Sequence, residues 1–540
     1  MRITNKVIQN NSLNNINANK LLQDKLSQQM STEKKVSRPS DDPIVAIRAL
    51  RLRTNVNQVT QYYEKNVPDA QSWLEVTESA LSSMSEVVTD MIAQCTKGSN
   101  EDLTTNDREV ILTALKALCE EVYSTGNADY AGRFIFTGYR TDTALTFGNA
   151  TKQTYSITEQ IGNSNIDSVT YVKTGLLPEI NEDNATDPAA GYKDIVEQDV
   201  TQSEVHRLRL SYKDVDELIS DNGKLNVGIQ VWDQQQNGGQ GAFVDISQVT
   251  GGLDGAGATA TYECASIYDS PSPYEKMADK AYGDNAIVLV KETGELLLGE
   301  NVYNKLMEMN DRPETTNNEG EIRVTYEKSN WEGKDLRPEH YFACSSKGIE
   351  YNSDYLKGIS DEDKQTIEFD VGLNQTIRVN TTADEVFTHD INRDVEDMVK
   401  AMEETVAMQK QVEKLQKMLE ENTDPDRTPI LEKQLAAAEK AFTLLNEKTQ
   451  KIFEQGISKM QGHLDAVNFA VTENGTRGQR LELISNRLMS QKTNFETLRS
   501  ENEDIDITEV AIKLSSAELT YSSALMATGK VLQNNLMNFI

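Results

Sequence analysis

Apolar residues recur every three to four positions at both ends of this 540-residue chain, and every second position in its middle. That change of period constrains the fold more than composition does. A 3.6-residue period marks one face of a helix, and a two-residue period one face of a strand. Near the start, Ala70, Trp73, Leu74, Leu81, Met84, Val88 and Met91 make one helical face, with Pro68 placed at its N-terminus. Asn106 with Glu109 forms a possible capping box for the next helix. In the last third, Leu431, Leu435, Ala438, Phe442 and Leu445 run in one phase. The phase slips around Ile452, Phe453 and Gly456, then resumes from Ile457, as at a stutter in a coiled coil.

The last helix is expected to begin near Asp506-Ile507-Thr508, and it carries two apolar rows. Leu514, Ala517 and Tyr521 lie on the first; Ile512, Leu519, Leu525, Leu532 and Leu536 lie on the second. A helix with two apolar faces must be covered on two sides. The N-terminal arm, with Leu13, Ile16, Leu22, Leu26 and Met30, can cover one, and a neighbouring molecule the other.

Between about 144 and 385, Leu225, Val227, Ile229 and Val231 alternate with polar residues, as do Ile322, Val324 and Tyr326. Ala286–Val290 and Glu295–Leu298 read as two strands joined by a turn, and Val371-Gly372-Leu373-Asn374 as the start of a hairpin. The expected fold class is α+β: a long antiparallel helical bundle or coiled coil formed by both termini, with a large, mainly β insertion. The expected segments are 1–143 and 386–540 as helical assembly arms, and 144–385 as an acidic surface insertion of one or two subdomains.

Charge divides the chain in the same way. Residues 1–145 carry 16 basic and 18 acidic groups, and 461–540 carry 7 and 10, so both ends are nearly neutral. Residues 146–460 hold 31 basic and 58 acidic groups, which is most of the net charge of −32. An acidic chain without clustered Lys and Arg argues against nucleic acid as a partner. No apolar run is long enough to span a membrane. Met1-Arg2-Ile3-Thr4-Asn5 leads into Asn-rich sequence with no apolar core, so no cleaved signal is expected.

Chemistry has little foothold. His206, His340, His389 and His463 form no HExxH, and there is no CxxC or phosphate-binding Gly-rich lysine loop. Gly255-Ala256-Gly257 is followed by β-like sequence rather than a helix, which leaves a dinucleotide without its N-terminal amides. Asp361-Glu362-Asp363 reads as a solvated turn, since it lacks the glycine and terminal glutamate of a calcium loop. Cys95 and Cys119 read as small buried hydrophobes, while Cys264 and Cys344 could pair or stay free. Met398, Met402 and Met408 read as packing. No catalytic residue, metal or cofactor is assigned.

One short segment says more. Arg38, Pro39, Ser40, Asp41, Asp42 and Pro43 interrupt two helical stretches, with Ser40 or Asp41 placed to cap the helix after Pro43. This turn, followed by Arg48-Ala49-Leu50-Arg51-Leu52-Arg53, resembles the bacterial flagellin family. Ala70-Gln71-Ser72-Trp73-Leu74, Gly132-Arg133-Phe134-Ile135-Phe136-Thr137-Gly138 and Arg477-Gly478-Gln479-Arg480-Leu481 are also similar to it. The Arg-Pro-Ser-Asp-Asp-Pro form and the end Asn538-Phe539-Ile540 resemble the family's hook–filament junction members more than its filament flagellins.

The resemblance implies an extracellular structural protein of the flagellum, exported through the flagellar apparatus without a cleaved signal. It implies the first hook-associated protein, flagellin and further copies of this chain as partners, and an export chaperone in the cytoplasm. Filament flagellin itself is the alternative. An enzyme domain displayed on a flagellin-like scaffold is a third reading, which no residue pattern supports.

Overall fold

The computed structural model describes residues 5–533 except 101, 163–164, 175–194, 217–227, 234, 237–240, 256, 280–282, 309–321, 354 and 356–364. The expected strand residues Leu225 and Val227 and the turn Asp361-Glu362-Asp363 lie outside the described residues. The fold is α+β. Helices α1 (Asn5–Thr32), α2 (Pro43–Gln61), α3 (Val67–Gly98) and α4 (Thr105–Thr125) precede the sheets. Helices α5 (Pro273–Ala278), α6 (Glu300–Glu308) and α7 (Ala383–Val386) are short, and α8 (His389–Glu421), α9 (Thr428–Glu503) and α10 (Ile507–Gln533) follow.

The chain forms two compact units. One comprises Met1–Gln71, Glu368–Ile377 and Arg477–Ile540; the other comprises Ser72–Ile367 and Arg378–Thr476.

In the larger unit, α3 and α9 run antiparallel. The Asn474 side chain donates to the Leu74 carbonyl at 3.0 Å, and Ser85 bonds Asn468 at 3.3 Å. Trp73, Leu81, Met84, Val88 and Met91 are all buried, as one apolar face requires. Helices α4 and α8 are antiparallel too, with Lys410–Glu109 and Lys116–Glu403 ion pairs at 2.7 and 2.8 Å. Helix α9 approaches closely where its sequence phase slips. A side chain at Gly456 would meet the Met398 sulfur at 2.6 Å, and one at Gly98 would strike the Phe453 ring.

Two sheets complete this unit. The six-stranded sheet has the order β13-β12-β3-β11-β6-β7. Its strands are β3 (Thr151–Ile161), β6 (Gly228–Asp233), β7 (Ala242–Asp245), β11 (Ile322–Trp331), β12 (Ala343–Ser346) and β13 (Ile349–Tyr351). The five-stranded sheet has the order β4-β5-β10-β9-β8. It consists of β4 (Ile166–Lys173), β5 (Thr201–Arg209), β8 (Thr261–Ala265), β9 (Ala286–Val290) and β10 (Glu295–Leu298). Strands β9 and β10 are buried throughout, as expected of central strands packed on both faces. A two-residue hairpin, β1 (Asp129–Tyr130) with β2 (Arg133–Phe134), sits beside α4 in sequence. Cys264 is on β8 and Cys344 on β12, in different sheets, and among the described residues none of the four cysteines forms a disulfide. Met398, Met402 and Met408 are buried in packing.

The smaller unit holds α1, α2, α10, the hairpin of β14 (Glu368–Gly372) and β15 (Gln375–Arg378) up to Ile377, and the end of α9. Asn374 takes the left-handed conformation at the hairpin turn (φ 53°). The Asn66 side chain donates to the Asp370 carbonyl at 2.7 Å.

Two local expectations need correction. Pro68 does not start a helix: helical structure runs from Pro43 to Gly98, through a π-turn at Tyr62–Asn66. The wider turn, with Val67 N–H bonded to the Tyr62 carbonyl, accommodates a residue that has no N–H of its own. The capping box of α4 is Thr104 with Asp107, because those side chains reach each other's backbone amides. The phase slip in α9 leaves the helix continuous for 76 residues, as a stutter does.

Candidate assembly surface

The turn between α1 and α2 is built from its own side chains. Glu33 ends α1 in a left-handed conformation (φ 56°). The cap of α2 is Asp42, not Ser40 or Asp41: its carboxylate accepts from Ile44 N–H at 3.0 Å and Val45 N–H at 3.2 Å. Asp42 has the extended backbone a cap needs, and Pro43 supplies the first helical residue. Asp41 closes the turn instead, accepting from Arg38 N–H at 3.0 Å and the Ser37 hydroxyl at 3.3 Å. Arg38, Pro39, Ser40, Asp41 and Pro43 are exposed.

The residues just before this turn clasp the link between α9 and α10. Lys35 N–H donates to the Glu503 carbonyl at 2.7 Å, and Ile505 N–H donates to the Glu33 carbonyl at 3.1 Å. Arg53 grips the buried Glu503 carboxylate with two hydrogen bonds of 2.7 Å, and this bonding raises the Arg53 pKa. Lys34 pairs with Asp504, which holds that carboxyl below its ordinary value.

Helix α10 has a covered face and an uncovered one. Val510 and Ala517 are buried against Leu26 of α1, with Leu514 and Met30 packed at the edge. Tyr521, on the same row, is half-buried. On the other row Ile512 is 66% exposed, Leu519 71% and Leu525 46%. The side chain of Leu532 and all of Leu536 lie outside the described residues. Exposed apolar residues continue on other helices of this unit, with Leu13, Leu21 and Leu22 on α1 and Ile44, Ile47 and Leu50 on α2. Single exposed leucines are ordinary, but rows at helical spacing mark surfaces that await a cover. Such rows supply packing area and no reacting group.

In the larger unit a charged cluster joins sheet to helices. Arg207 and Arg209, two apart on β5, project from one face of the strand. Asp394 and Asp397, three apart on α8, share a helix face. Arg209 meets Asp394 and Asp397 at 2.7 Å each, and Arg207 pairs with Asp397 and Glu295. Lys459 of α9 adds 2.8 Å to Asp394. Burial alone would raise the Asp394 pKa. The hydrogen bond from His463 and the charges of Arg209 and Lys459 overcome it and hold the group down to about 2. Asp397 is half-buried, and Arg207 holds it well below the carboxylate range against the desolvation that would raise it. The Arg207–Arg209 and Asp394–Asp397 spacings were visible signals of this cluster in the sequence. Among the described residues no group of His, Cys, Asp and Glu is arranged to hold a metal.

Residues 3–141 match the bacterial flagellin N-terminal helical region. The chain is 28% identical over 193 residues to flagellar hook-associated protein 3 of Salmonella typhimurium, covering 35% of this chain and 60% of that one. It is 35% identical over 121 residues to flagellar hook-associated protein 3 of Escherichia coli, covering 22% of this chain and 38% of that one. The chain resembles flagellar hook-associated protein 3. It thus spans 60% and 38% of the length of these two relatives. A solved flagellar hook-associated protein 3 from Legionella pneumophila is 10% identical, with 83% of this chain and 98% of that one covered at a TM-score of 0.29. Among the described residues no helix is long and apolar enough to cross a membrane.

Proposed function

We propose that this chain is a structural adaptor of the bacterial flagellum, joining the hook to the flagellin filament. The observation that carries the reading is the uncovered apolar row of α10, Ile512, Leu519 and Leu525, in a chain that resembles hook-associated protein 3. The helical arms 1–143 and 386–540 are the assembly elements, and 144–385 is the acidic surface insertion. The partners are the first hook-associated protein, flagellin, neighbouring copies of this chain and an export chaperone. The protein acts outside the cell after passage through the flagellar export apparatus, and it is not an enzyme. Gold-labelled antibody against this chain, viewed on isolated flagella, tests the reading. A narrow band at the hook–filament boundary is the expected result. Label along the whole filament would assign the chain to filament flagellin, and an unlabelled flagellum would overturn both.

A further inference from the structure

Residues 1–61 carry 10 basic and 4 acidic groups, in a chain whose net charge is −32. On α2 this positive charge lies beside an apolar row. Ile44, Ile47, Arg48 and Arg51 are all exposed, and their spacings of three, four and seven residues put them on one helix face. Arg53 of the same helix is held by Glu503, whereas among the described residues no ion pair is seen for Arg48 or Arg51. Asp41 and Asp42, the acids nearest in sequence, are engaged by the amides of their own turn. The face therefore offers two guanidinium groups without a counter-charge, next to two branched apolar side chains.

A surface of opposite character lies on α3 in the larger unit. From Ser72 to Thr96 that helix has four acidic residues and no Lys or Arg. Glu78, Ser82, Glu86 and Asp90 follow at four-residue spacing, all exposed, so three carboxylates share one row. Among the described residues no ion pair is seen for any of the three. The neighbouring row, Glu75, Ser79 and Ser83, walls a groove of about 440 Å³ together with the end of α4. Val76, Ala80 and Ala128 add apolar lining, and no basic residue lines it. Small side chains leave such a groove room for branched ones, and the acidic row beside it repels anions and attracts cations.

We infer that α2 of one copy of this chain docks in the α3 groove of a second copy. Ile44 and Ile47 enter beside Ser79 and Ser83, and Arg48 and Arg51 reach Glu78 and Glu86, which stand about 12 Å apart along the helix. Opposite charge on the two faces selects this pairing and fixes its register. At physiological salt the Debye length, about 8 Å, screens the repulsion between the acidic bodies of two copies but not charges in contact. The two patches differ, so each docked copy still presents one free patch, and further copies can add head to tail. The inference rests on the adaptor reading, in which neighbouring copies are partners, and names the surfaces they use.

Sedimentation equilibrium of the purified full chain at physiological salt tests it. The wild-type chain is expected to self-associate, and less so as salt rises. Two charge-reversed chains are compared with it: Arg48→Glu with Arg51→Glu, and Glu78→Arg with Glu86→Arg. All four positions are exposed, so both chains are expected to keep the wild-type circular dichroism spectrum. Each alone should associate about a hundredfold more weakly, since like charges then face each other. A mixture of the two should associate again, because each supplies the patch the other has lost. A wild-type chain that stays monomeric at millimolar protein would overturn the inference. So would association that survives both reversals, which would put the contact elsewhere, or a mixture that stays monomeric. These outcomes do not depend on where antibody labels the flagellum. An unlabelled flagellum with association restored in the mixture would sink the adaptor reading alone, and a labelled boundary with no association would sink this contact alone.

Discussion

Placing one charge on each face of α10 separates the stability of the subunit from its assembly. Leu519 is 71% exposed in the free chain, so Leu519→Asp should change subunit stability by no more than about 0.5 kcal/mol. If a neighbouring molecule covers that row in the flagellum, the variant loses the burial of a leucine, about 2 kcal/mol. It also places a carboxylate in an apolar contact, which adds a few kcal/mol more. A total near 5 kcal/mol lowers the association constant by three to four powers of ten. Leu514 packs against Leu26, Val510 and Ala517 inside the subunit, and Leu514→Asp should therefore destabilise the free chain itself, by about 2–4 kcal/mol.

The assay measures three quantities in cells making each variant: subunit in the medium, flagellin in the medium, and filaments per cell. Leu519→Asp should leave subunit synthesis and export normal, remove filaments, and release flagellin monomer. Leu514→Asp should lower the melting temperature of the purified chain. Normal filaments with Leu519→Asp would refute the idea that its row meets a neighbour, and with it the mechanism proposed for the adaptor. Equal loss of stability in both purified variants would refute the division of the helix into a covered and an open face.

Burial raises the Glu159 pKa to about 7, against the opposing hydrogen bonds of the Tyr326 hydroxyl and Ser211 N–H. The folded chain therefore binds more protons than the unfolded one between about pH 4.5 and 7, and stability from this group is full below that window and lost as pH rises through it. Glu159→Gln should remove roughly 3 kcal/mol of that pH dependence in urea titrations at pH 5 and 8; an unchanged difference between the two pH values would refute it. Asp397→Asn strands Arg207 and Arg209 without their shared carboxylate, and should lower stability by about 3–5 kcal/mol, with a loss under 1 kcal/mol in urea unfolding counting against the cluster as a structural joint. Gly98→Ala should destabilise by about 1–3 kcal/mol because its methyl would strike Phe453, whereas Gly462→Ala, with open space around it, should stabilise by about 0.5–1 kcal/mol; thermal melts with the same sign for both would contradict the close helix approach.

Much of the framework was legible in the sequence because period and burial are directly linked. The row from Trp73 to Met91 is buried along its length, and the strands Ala286–Val290 and Glu295–Leu298 pair as read. The Val371–Asn374 reading likewise became the β14–β15 hairpin. The cap of α2 was missed by one residue because Ser40, Asp41 and Asp42 can all cap in principle. Only the backbone decides which carboxylate faces the Ile44 and Val45 amides. Pro68 misled for a related reason: a proline usually marks a helix start, and a five-residue π-turn just before it leaves no trace in an apolar pattern. The partner of each β strand, and hence the two-sheet order, depends on contacts far apart in sequence that alternation does not encode.

The charge map also takes on meaning only in three dimensions. A segment with a net charge of −27 repels itself, and its sheets must still be held to the helices of the same unit. Arg207 is a buried basic residue in that segment and Arg209 is nearly so, and they are placed against Asp394, Asp397 and Glu295. The paired charges add little net stability compared with apolar packing of the same volume, since desolvation offsets most of their attraction. What they add is a single permitted alignment. A slip of β5 by one residue would turn both arginines to the opposite face, strip Asp397 of both its arginines and leave the buried Asp394 with only Lys459 and His463, at a cost of several kcal/mol. The cluster thus acts as a register key between β5 and α8, fixing the sheet on the helix while the rest of the acidic surface stays in water.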